Sequence, residues 1–432
     1  MVLTEVFANE HGTANAVVAL DPQPVTQTYD QLHHAVQSLQ AYFLEAKLQP
    51  GDTVASIFPN SLECVLAFLG TTFHRCVAAP LNPQLTTDEF SFYLEDAQAR
   101  LLLVPVGTPA EHPAVLAAQR LSRCVVWEVG WVAAEGRLQV QLHCGSAGQN
   151  TLPVNQPKGA EEWPKPQPSD TALLLHTSGT TGKPKAVPLS HGNLTRSMLN
   201  IVTTYSLTPS DRTYLVMPLF HVHGLIAGLL STLKSGGSVV IPKKFSASRF
   251  WSDVLQYQCT WYTAVPTIHQ ILLRHPPPPR SHQLRFIRSC SSALAPTVYK
   301  QLEQTYKVPV VEAYAMTEAA HQMTSNPLPP RGRKPGSVGP GQGVEVAILT
   351  EAGESVPTGK DGEICVRGPN VTKGYLNNPS ANASSFHRGG WFRTGDQGHL
   401  DQDGYLAITG RIKELINRGG EKISPLEIDH VL

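Results

Sequence analysis

A loop rich in glycine, hydroxyl and lysine side chains directly follows an apolar run, an order that suits polyphosphate binding. The apolar run Leu173–Leu175 leads through His176 into this loop, whose members are Thr177, Ser178, Gly179, Thr180, Thr181, Gly182, Lys183, Pro184 and Lys185. Glycines allow positive φ and close backbone approach, so successive N–H groups can converge on anionic oxygens while hydroxyls and lysines add donors. A solvated linker is the alternative interpretation. However, a second apolar run, residues 186–189, follows at once, and linkers rarely separate two such runs.

The spacing within this loop excludes a Walker phosphate loop. Gly179 and Gly182 are too close together for that pattern, and Pro184 stands where a magnesium-binding hydroxyl would follow the Gly-Lys pair. A different mode of phosphate binding is therefore predicted.

Three further blocks follow this loop in a fixed order. They are Phe220–Gly224, Ala313–Glu318, and Gly390–Asp396 running on to Gly410–Glu414. Together with the loop they resemble the adenylate-forming superfamily of acyl-CoA synthetases, luciferases and peptide-synthetase adenylation domains, from about residue 170 to residue 432. The resemblance implies an α/β fold, ATP or AMP, Mg²⁺ and coenzyme A as cofactors, and a carboxylic acid as the other substrate.

The same resemblance implies roles for individual residues in adenylate formation, in which a carboxylate attacks the α-phosphorus of ATP. Thr317 and Glu318 would bind a phosphate oxygen and Mg²⁺, and they are the predicted catalytic residues together with His221. Beyond the phosphate loop, the predicted nucleotide-binding residues are Ser292, Ala293, Glu312, Ala313, Tyr314, Thr317, Asp396 and Arg411. Tyr314 would stack on adenine and Asp396 would accept the ribose hydroxyls. Taken alone, Thr317-Glu318 would be an ordinary helix N-terminal pair and Asp396 an ordinary turn residue.

The acid is predicted from polar residues around the expected acyl site. These are His221, His223, Ser291, Ser292 and His321, and several donors at one site favour a substrate that keeps a second anionic group. The Phe220–Gly224 block lacks the Asp with which peptide synthetases pair an amino group. The stretches 313–329 and 333–339 resemble oxalate–CoA ligases of plants and fungi, which implies oxalate as substrate. The alternatives are a 4-coumarate-like or medium-chain acyl-CoA ligase, or a nucleotide-binding fragment without turnover.

The amino-acid composition restricts the classes of partner that this chain is expected to bind. The 432 residues carry 34 basic and 34 acidic side chains, so no net charge attracts nucleic acid over a long range. Seven cysteines without a C-x-x-C pair predict reduced, mostly buried thiols and an intracellular protein, cytoplasmic or peroxisomal. The first residues lack a secretory pattern, and no apolar run reaches the ~20 residues of a membrane span. A monomer is compatible with this sequence, which does not determine the oligomeric state.

The elements that must position these residues fall into a predicted series of subdomains. An α/β subdomain is expected over 1–171 with a linker at 145–170, a second over 172–334, and a small β subdomain over 335–411. Residues 412–432 would hold a hinge at Lys413, which by itself is an ordinary solvated lysine. A helix beginning near Ser424 would start a C-terminal domain, most of which is expected to lie beyond residue 432.

Overall fold

The computed structural model describes residues 1–7, 11–143, 165–177, 184–275 and 282–414, and the backbone of two short strands beyond them. The strands in chain order are β1 Asn15–Ala19, β2 Val25–Thr28, β3 Thr53–Ser56, β4 Val77–Pro80, β5 Ala99–Pro105, β6 Val125–Val132, β7 Arg137–Leu142, β8 Thr171–Thr177, β9 Lys185–Ser190, β10 Arg212–Tyr214, β11 Ser238–Ile241, β12 Trp261–Ala264, β13 Phe286–Ser289, β14 Val310–Met316, β15 His321–Ser325, β16 Glu345–Leu349, β17 Gly362–Arg367, β18 Phe386–His387, β19 Trp391–Leu400, β20 Leu406–Arg411, β21 Ile416–Arg418 and β22 Glu421–Ile423.

Helices alternate with most of these strands. They are α1 Tyr29–Glu45, α2 Leu62–Phe73, α3 Thr87–Asp96, α4 Pro113–Gln119, α5 His191–Tyr205, α6 Ser231–Lys234, α7 Ala247–Gln256, α8 Pro266–Leu273, α9 Pro296–Tyr306 and α10 Pro379–Ser385, with 3₁₀ turns at Leu3–Phe7 and Thr317–Ala319 and a π-helix at His223–Leu230. No helix in the described ranges is long and apolar enough to cross a membrane. The predicted α/β fold class is confirmed.

Two large sheets carry the fold, and both are mainly parallel with an antiparallel strand at each outer edge. The first sheet has the order β7-β6-β5-β3-β4-β8-β9, and the second has the order β15-β14-β13-β12-β10-β11-β1-β2. In the second sheet the strands from β14 to β1 are parallel, and the edge strands β15 and β2 run in the opposite direction. Ligands in such sheets bind beyond the carboxyl ends of the parallel strands. Strands β8 and β14 reach their carboxyl ends at Thr177 and Met316, directly before most of the predicted phosphate residues and before the predicted metal residues in the sequence.

The sheets divide the chain differently from the predicted boundary at residue 171. Strands β1 and β2, near the start of the chain, join the sheet expected from residues 172–334. Conversely, β8 and β9 complete the sheet expected from residues 1–171. The reason is that β1 is paired in parallel with β11, more than 200 residues later, a long-range pairing that local periodicity does not encode.

The main hydrophobic core lies between the two sheets. Helices α2 and α5 each contact strands of both sheets. In α2 every residue except Glu63 is buried, as expected for a helix that is apolar on all sides. Its start is fixed by Ser61, whose hydroxyl accepts a hydrogen bond from the Cys64 N–H at 3.2 Å. By packing against both sheets, α2 and α5 fix the positions of the strand ends that carry the predicted site residues.

The antiparallel sheet β16-β17-β19-β18, with β20 paired to β19, is tied to the second large sheet by basic residues. Arg333 bonds Glu303 of α9, and Lys334 bonds Asp401 and Asp403 in the turn between β19 and β20. Both basic residues belong to the stretch on which the resemblance to oxalate–CoA ligases rests. In this structure they act as links between subdomains.

The cysteines follow the prediction that most are buried. In the described ranges Cys64, Cys76, Cys259, Cys290 and Cys365 are buried, Cys124 is partly exposed, and all six are free thiols. Burial raises the pKa of the Cys64 thiol to about 12, because the thiolate would lose its hydration.

Candidate active site

The strands on either side of the predicted phosphate loop form a hairpin. Thr177 ends β8 and is the Cα partner of Lys185, which begins β9. Lys185 holds its Nζ 4.6 Å from the ring centroid of Tyr375, a cation–π contact. The predicted loop residues Ser178, Gly179, Thr180, Thr181, Gly182 and Lys183 lie outside the described residues, and their role stays a prediction.

Three of the predicted nucleotide residues form one cluster. Strand pairing makes Asp396 on β19 the partner of Arg411 on β20, and Arg411 Nε donates to Asp396 Oδ1 at 2.9 Å. The Tyr314 hydroxyl donates to the other carboxylate oxygen, Oδ2. Burial raises the pKa of Asp396, and the bonds from Tyr314 and Arg411 oppose that effect. Each carboxylate oxygen keeps a lone pair, so the cluster can still accept two hydroxyl groups.

The predicted metal residues lie on the turn after β14. Thr317 begins the 3₁₀ turn and is partly exposed, whereas Glu318 is buried. The Tyr375 hydroxyl donates to Glu318 Oε1 at 2.8 Å, and the Thr372 N–H donates to the Glu318 carbonyl at 2.7 Å. Burial raises the pKa of Glu318, while the bond from Tyr375 and, from further away, Lys185 lower it.

Tyr375 is a site residue that the sequence analysis missed. Its hydroxyl contacts Glu318 and its ring contacts Lys185, so it connects the predicted metal residue with the end of the predicted phosphate loop. The only local signal is an aromatic residue after Gly374, and that pattern is common in turns.

The other predicted nucleotide residues lie on or directly after β14 and in the segment after β13. Ala313 is buried on β14, and Glu312 beside it accepts a hydrogen bond from the Gly336 N–H at 3.1 Å. Ser292 and Ala293 are exposed in the segment after β13, where the Ser292 hydroxyl bonds only the Ser291 carbonyl among described residues, at 2.9 Å. They border a solvent-open region and remain candidates for nucleotide contact.

Three of the five predicted acid-binding residues form a polar cluster. His223 is buried, with Nδ1 3.0 Å from the Ser291 hydroxyl and Nε2 2.6 Å from the Thr263 hydroxyl. The His321 ring stacks on His223 at 5.2 Å between centroids, and its buried Nε2 has no hydrogen-bond partner among the described residues. Burial, then the charge of Arg288, lowers the pKa of both histidines well below the usual value, so both are neutral at pH 7.

The remaining two predicted acid-binding residues do not join this cluster. The His221 side chain is exposed, contacts the Phe220 ring at 4.6 Å and makes no side-chain hydrogen bond to a described residue. Ser292 is exposed beside Ser291. The two histidines of the Phe220–Gly224 block point apart because the chain enters the π-helix at His223, which buries this histidine and leaves His221 at the preceding turn.

Backbone strain marks the polar cluster. Ser291 has φ 77°, Ala320 has φ 49° and His321 has φ 96°, conformations that non-glycine residues rarely adopt. Each costs on the order of 1–3 kcal/mol and persists where surrounding structure enforces it, as at binding sites. In these conformations the Ser291 hydroxyl meets Nδ1 at the edge of the His223 imidazole, and the His321 ring stacks on its face.

Glu312 gives the site a testable pH dependence. Burial raises the pKa of this carboxyl from 4.5 to about 7, so the folded protein keeps a proton that the unfolded chain loses above pH 4.5. The resulting stabilisation is complete below pH 4.5 and is lost as the pH rises through about 7. We expect wild type to lose about 2.5 kcal/mol of unfolding free energy between pH 5 and pH 8 relative to Glu312→Gln.

Urea unfolding of both proteins at pH 5, 6, 7 and 8 measures this difference. Glutamine keeps an acceptor for the Gly336 N–H, and other titrating groups such as His191 and His269 contribute equally to both proteins. Parallel stability curves for the two proteins would show that Glu312 is ionised throughout.

Comparison with known proteins identifies the family of this chain. A family profile described as "AMP-binding enzyme" matches residues 4–376. The chain is 46% identical to the oxalate–CoA ligase of Saccharomyces cerevisiae, covering 100% of this chain and 82% of the relative. It is 50% identical to the oxalate–CoA ligase of Arabidopsis thaliana, covering 94% and 78%. The ATP-bound crystal structure of MatB from Rhodopseudomonas palustris has a TM-score of 0.83 at 30% identity, covering 99% of this chain and 82% of that one. The predicted superfamily is confirmed: the chain belongs to the AMP-binding enzyme family.

Proposed function

We propose that this enzyme activates oxalate with ATP and transfers the oxalyl group to coenzyme A. The observation that supports this most directly is the polar cluster of His223, Ser291 and His321. His321 in this cluster lies three residues along the chain from the metal-binding candidate Glu318. The identity to two oxalate–CoA ligases supports the same substrate. ATP and coenzyme A are intracellular, which supports the predicted cytoplasmic or peroxisomal location.

The chemistry has two steps. In the first, one oxalate oxygen forms a bond to the α-phosphorus of ATP as the bond to pyrophosphate breaks, which yields oxalyl-AMP. In the second, the coenzyme A thiolate attacks the activated carbonyl carbon, and AMP leaves with the oxygen that had joined it to the acyl group. Both steps depend mainly on positioning and on stabilising charge at the phosphates.

The nucleotide is oriented by the Tyr314–Asp396–Arg411 cluster. Asp396 has the remaining lone pairs to accept the two ribose hydroxyls, and the tyrosine and arginine hold its carboxylate in a single orientation. Arg411 is half exposed, with 50% of its side chain accessible, so it can also reach an α-phosphate oxygen. Lys185 and the loop before it would bind the outer phosphates.

The residues Thr317 and Glu318 fit a magnesium ion. Glu318 is a buried carboxylate that forms no ion pair within the described ranges, so a cation is needed to offset its ionisation. Hydroxyl and carboxylate oxygens are the hard ligands that Mg²⁺ prefers. Bound there with ATP, Mg²⁺ would neutralise charge on the phosphates. Tyr375 would hold the Glu318 carboxylate in place.

The acid pocket accounts for oxalate because the second carboxylate stays ionised after activation and must be hydrogen-bonded. The Ser291 hydroxyl and neutral His321 can donate to this carboxylate, and His223 supports Ser291 from the buried side, whereas an acyl chain would leave the two donors unpaired. A long or aromatic acid is therefore disfavoured by the same groups that favour a small dianion.

A substrate panel tests the proposal. We expect pyrophosphate release with oxalate to exceed that with octanoate or coumarate. His321→Ala should lower kcat/KM for oxalate by about tenfold, the effect of one hydrogen bond to a charged group, with ATP affinity unchanged. His74→Ala removes another fully buried imidazole, at the end of α2, and is the matched control. Faster turnover of octanoate or coumarate than of oxalate by wild type would refute the oxalate assignment.

A further inference from the structure

A buried arginine lies behind the polar cluster, and its positive charge has no carboxylate partner in the described part of the chain. Arg288 on β13 is 0% exposed. Its Nε donates to the Tyr205 hydroxyl at 2.8 Å, Nη1 to the Thr263 hydroxyl at 3.0 Å and Nη2 to the Gln322 side-chain oxygen at 3.2 Å. All three acceptors are neutral, although buried charges are ordinarily paired. The charge can therefore act on an anion bound at the neighbouring polar cluster through its field and through the hydrogen bonds it makes.

The hydrogen bonds from this arginine run in one direction. A guanidinium can only donate, so the Thr263 oxygen must accept from Arg288. Thr263 is 1% exposed, and its remaining hydrogen has one acceptor among the described residues, His223 Nε2 at 2.6 Å. Donation there leaves Nε2 without a proton and puts the imidazole proton on Nδ1.

The position of the His223 proton determines the direction of the next hydrogen bond, which leads to the exposed Ser291. With its proton on Nδ1, His223 donates to the Ser291 oxygen at 3.0 Å. The Ser291 hydroxyl has then accepted its bond from inside the protein, and its own hydrogen points away from His223. Ser291 is exposed, so this hydrogen is available to a ligand. Without a cation at its start, the chain of bonds could equally run the other way and make Ser291 an acceptor.

We propose that Arg288 is a positioning residue for acid selection: through Thr263 and His223 it fixes the Ser291 hydroxyl as a donor to an anionic group of the substrate. Bonds aligned head to tail strengthen one another, and a hydroxyl in such a chain binds a carboxylate better than a neutral amide. This inference rests on the proposed function for the identity of the acid. It adds the reason why a charged rather than a merely polar substituent is selected.

The test compares oxalate with oxamate, which has the same size and shape but carries an uncharged amide in place of the second carboxylate. Thr263→Val removes the link while leaving Arg288 in place, and Thr263→Ser restores the hydroxyl. We expect Thr263→Val to lower the ratio of kcat/KM for oxalate to that for oxamate by about tenfold, the effect of one bond to a charged group. Thr263→Ser should keep the wild-type ratio, and ATP affinity should be unchanged in both variants.

Controls separate this role from a purely structural one. Thr213→Val removes another buried hydroxyl on the adjacent strand β10, where Thr213 bonds Thr232 at 2.6 Å, and should leave the ratio unchanged. Arg288→Gln removes the charge and offers Thr263 either a donor or an acceptor, so the direction of the bonds is no longer fixed and the ratio should fall as in Thr263→Val. If Arg288→Gln does not fold, the three threonine variants still decide the question.

Two failures can be told apart. A wild-type enzyme that prefers oxalate but shows the same oxalate-to-oxamate ratio in Thr263→Val would overturn the positioning role of Arg288 alone. A wild-type enzyme that prefers octanoate or coumarate to oxalate would overturn the proposed function.

Discussion

Replacing Glu318 with glutamine is expected to lower the rate of pyrophosphate release by about 10³-fold at a fixed magnesium concentration, since a charged metal ligand and the charge it anchors are lost together. Glutamine has nearly the same shape and can still accept the hydrogen bond from Tyr375, so the fold should be retained. The loss should be partly reversed by raising the magnesium concentration. The measurement is a magnesium titration of pyrophosphate release for both proteins.

The control for this prediction is Tyr375→Phe. That change removes the hydroxyl that holds Glu318 but keeps the ring beneath Lys185. Loss of an orienting partner typically costs about 10- to 100-fold, so its effect should lie between those of wild type and Glu318→Gln. If Glu318→Gln stayed within tenfold of wild type at every magnesium concentration, Glu318 would not be a metal ligand.

Replacing Asp396 with alanine is expected to weaken ATP binding by about 3 kcal/mol, on the order of 100-fold, because two hydrogen bonds to a charged acceptor are lost. The change also leaves the Tyr314 hydroxyl and the Arg411 guanidinium without the carboxylate that positions them. Titration calorimetry with ATP measures the affinity directly and does not depend on turnover.

A matched control for Asp396 is available near the same antiparallel sheet. Asp361 precedes β17, is exposed and pairs with His399 at 2.7 Å, so Asp361→Ala removes a carboxylate away from the cluster. Its ATP affinity should equal that of wild type. Equal affinities for wild type and Asp396→Ala would contradict the ribose assignment.

The contacts that the sequence predicted best are those between residues of one motif or of neighbouring strands. Asp396 and Arg411 were assigned to one nucleotide, and they are direct partners across β19 and β20. His321 and Glu318 are predicted to belong to one active site; Glu318 lies in the short turn between β14 and β15, and His321 begins β15. Such pairs are predictable because a turn or hairpin brings residues together whatever the rest of the chain does.

The contacts that the sequence did not predict join distant segments. Tyr375 reaches Glu318 across 57 positions, and Arg288 reaches His223 only through Thr263 on the intervening strand β12. The sequence analysis did not single out Arg288, and it assigned both His221 and His223 to the acid site. Only the buried position of one histidine and the exposed position of the other distinguished them.

The sequence by itself determined the family, the α/β class and the chemical groups available for binding ATP and a small acid, because these depend on residue types at short spacings. The tertiary structure alone decided which strands are neighbours, and with them which of the predicted groups meet. Strand order depends on long-range pairing such as that of β1 with β11. The entropy lost on closing so long a loop is offset only by the packing of the whole core. The direction of the bonds from Arg288 to Ser291 follows from that order, because β12 lies beside β13 and under the π-helix that carries His223.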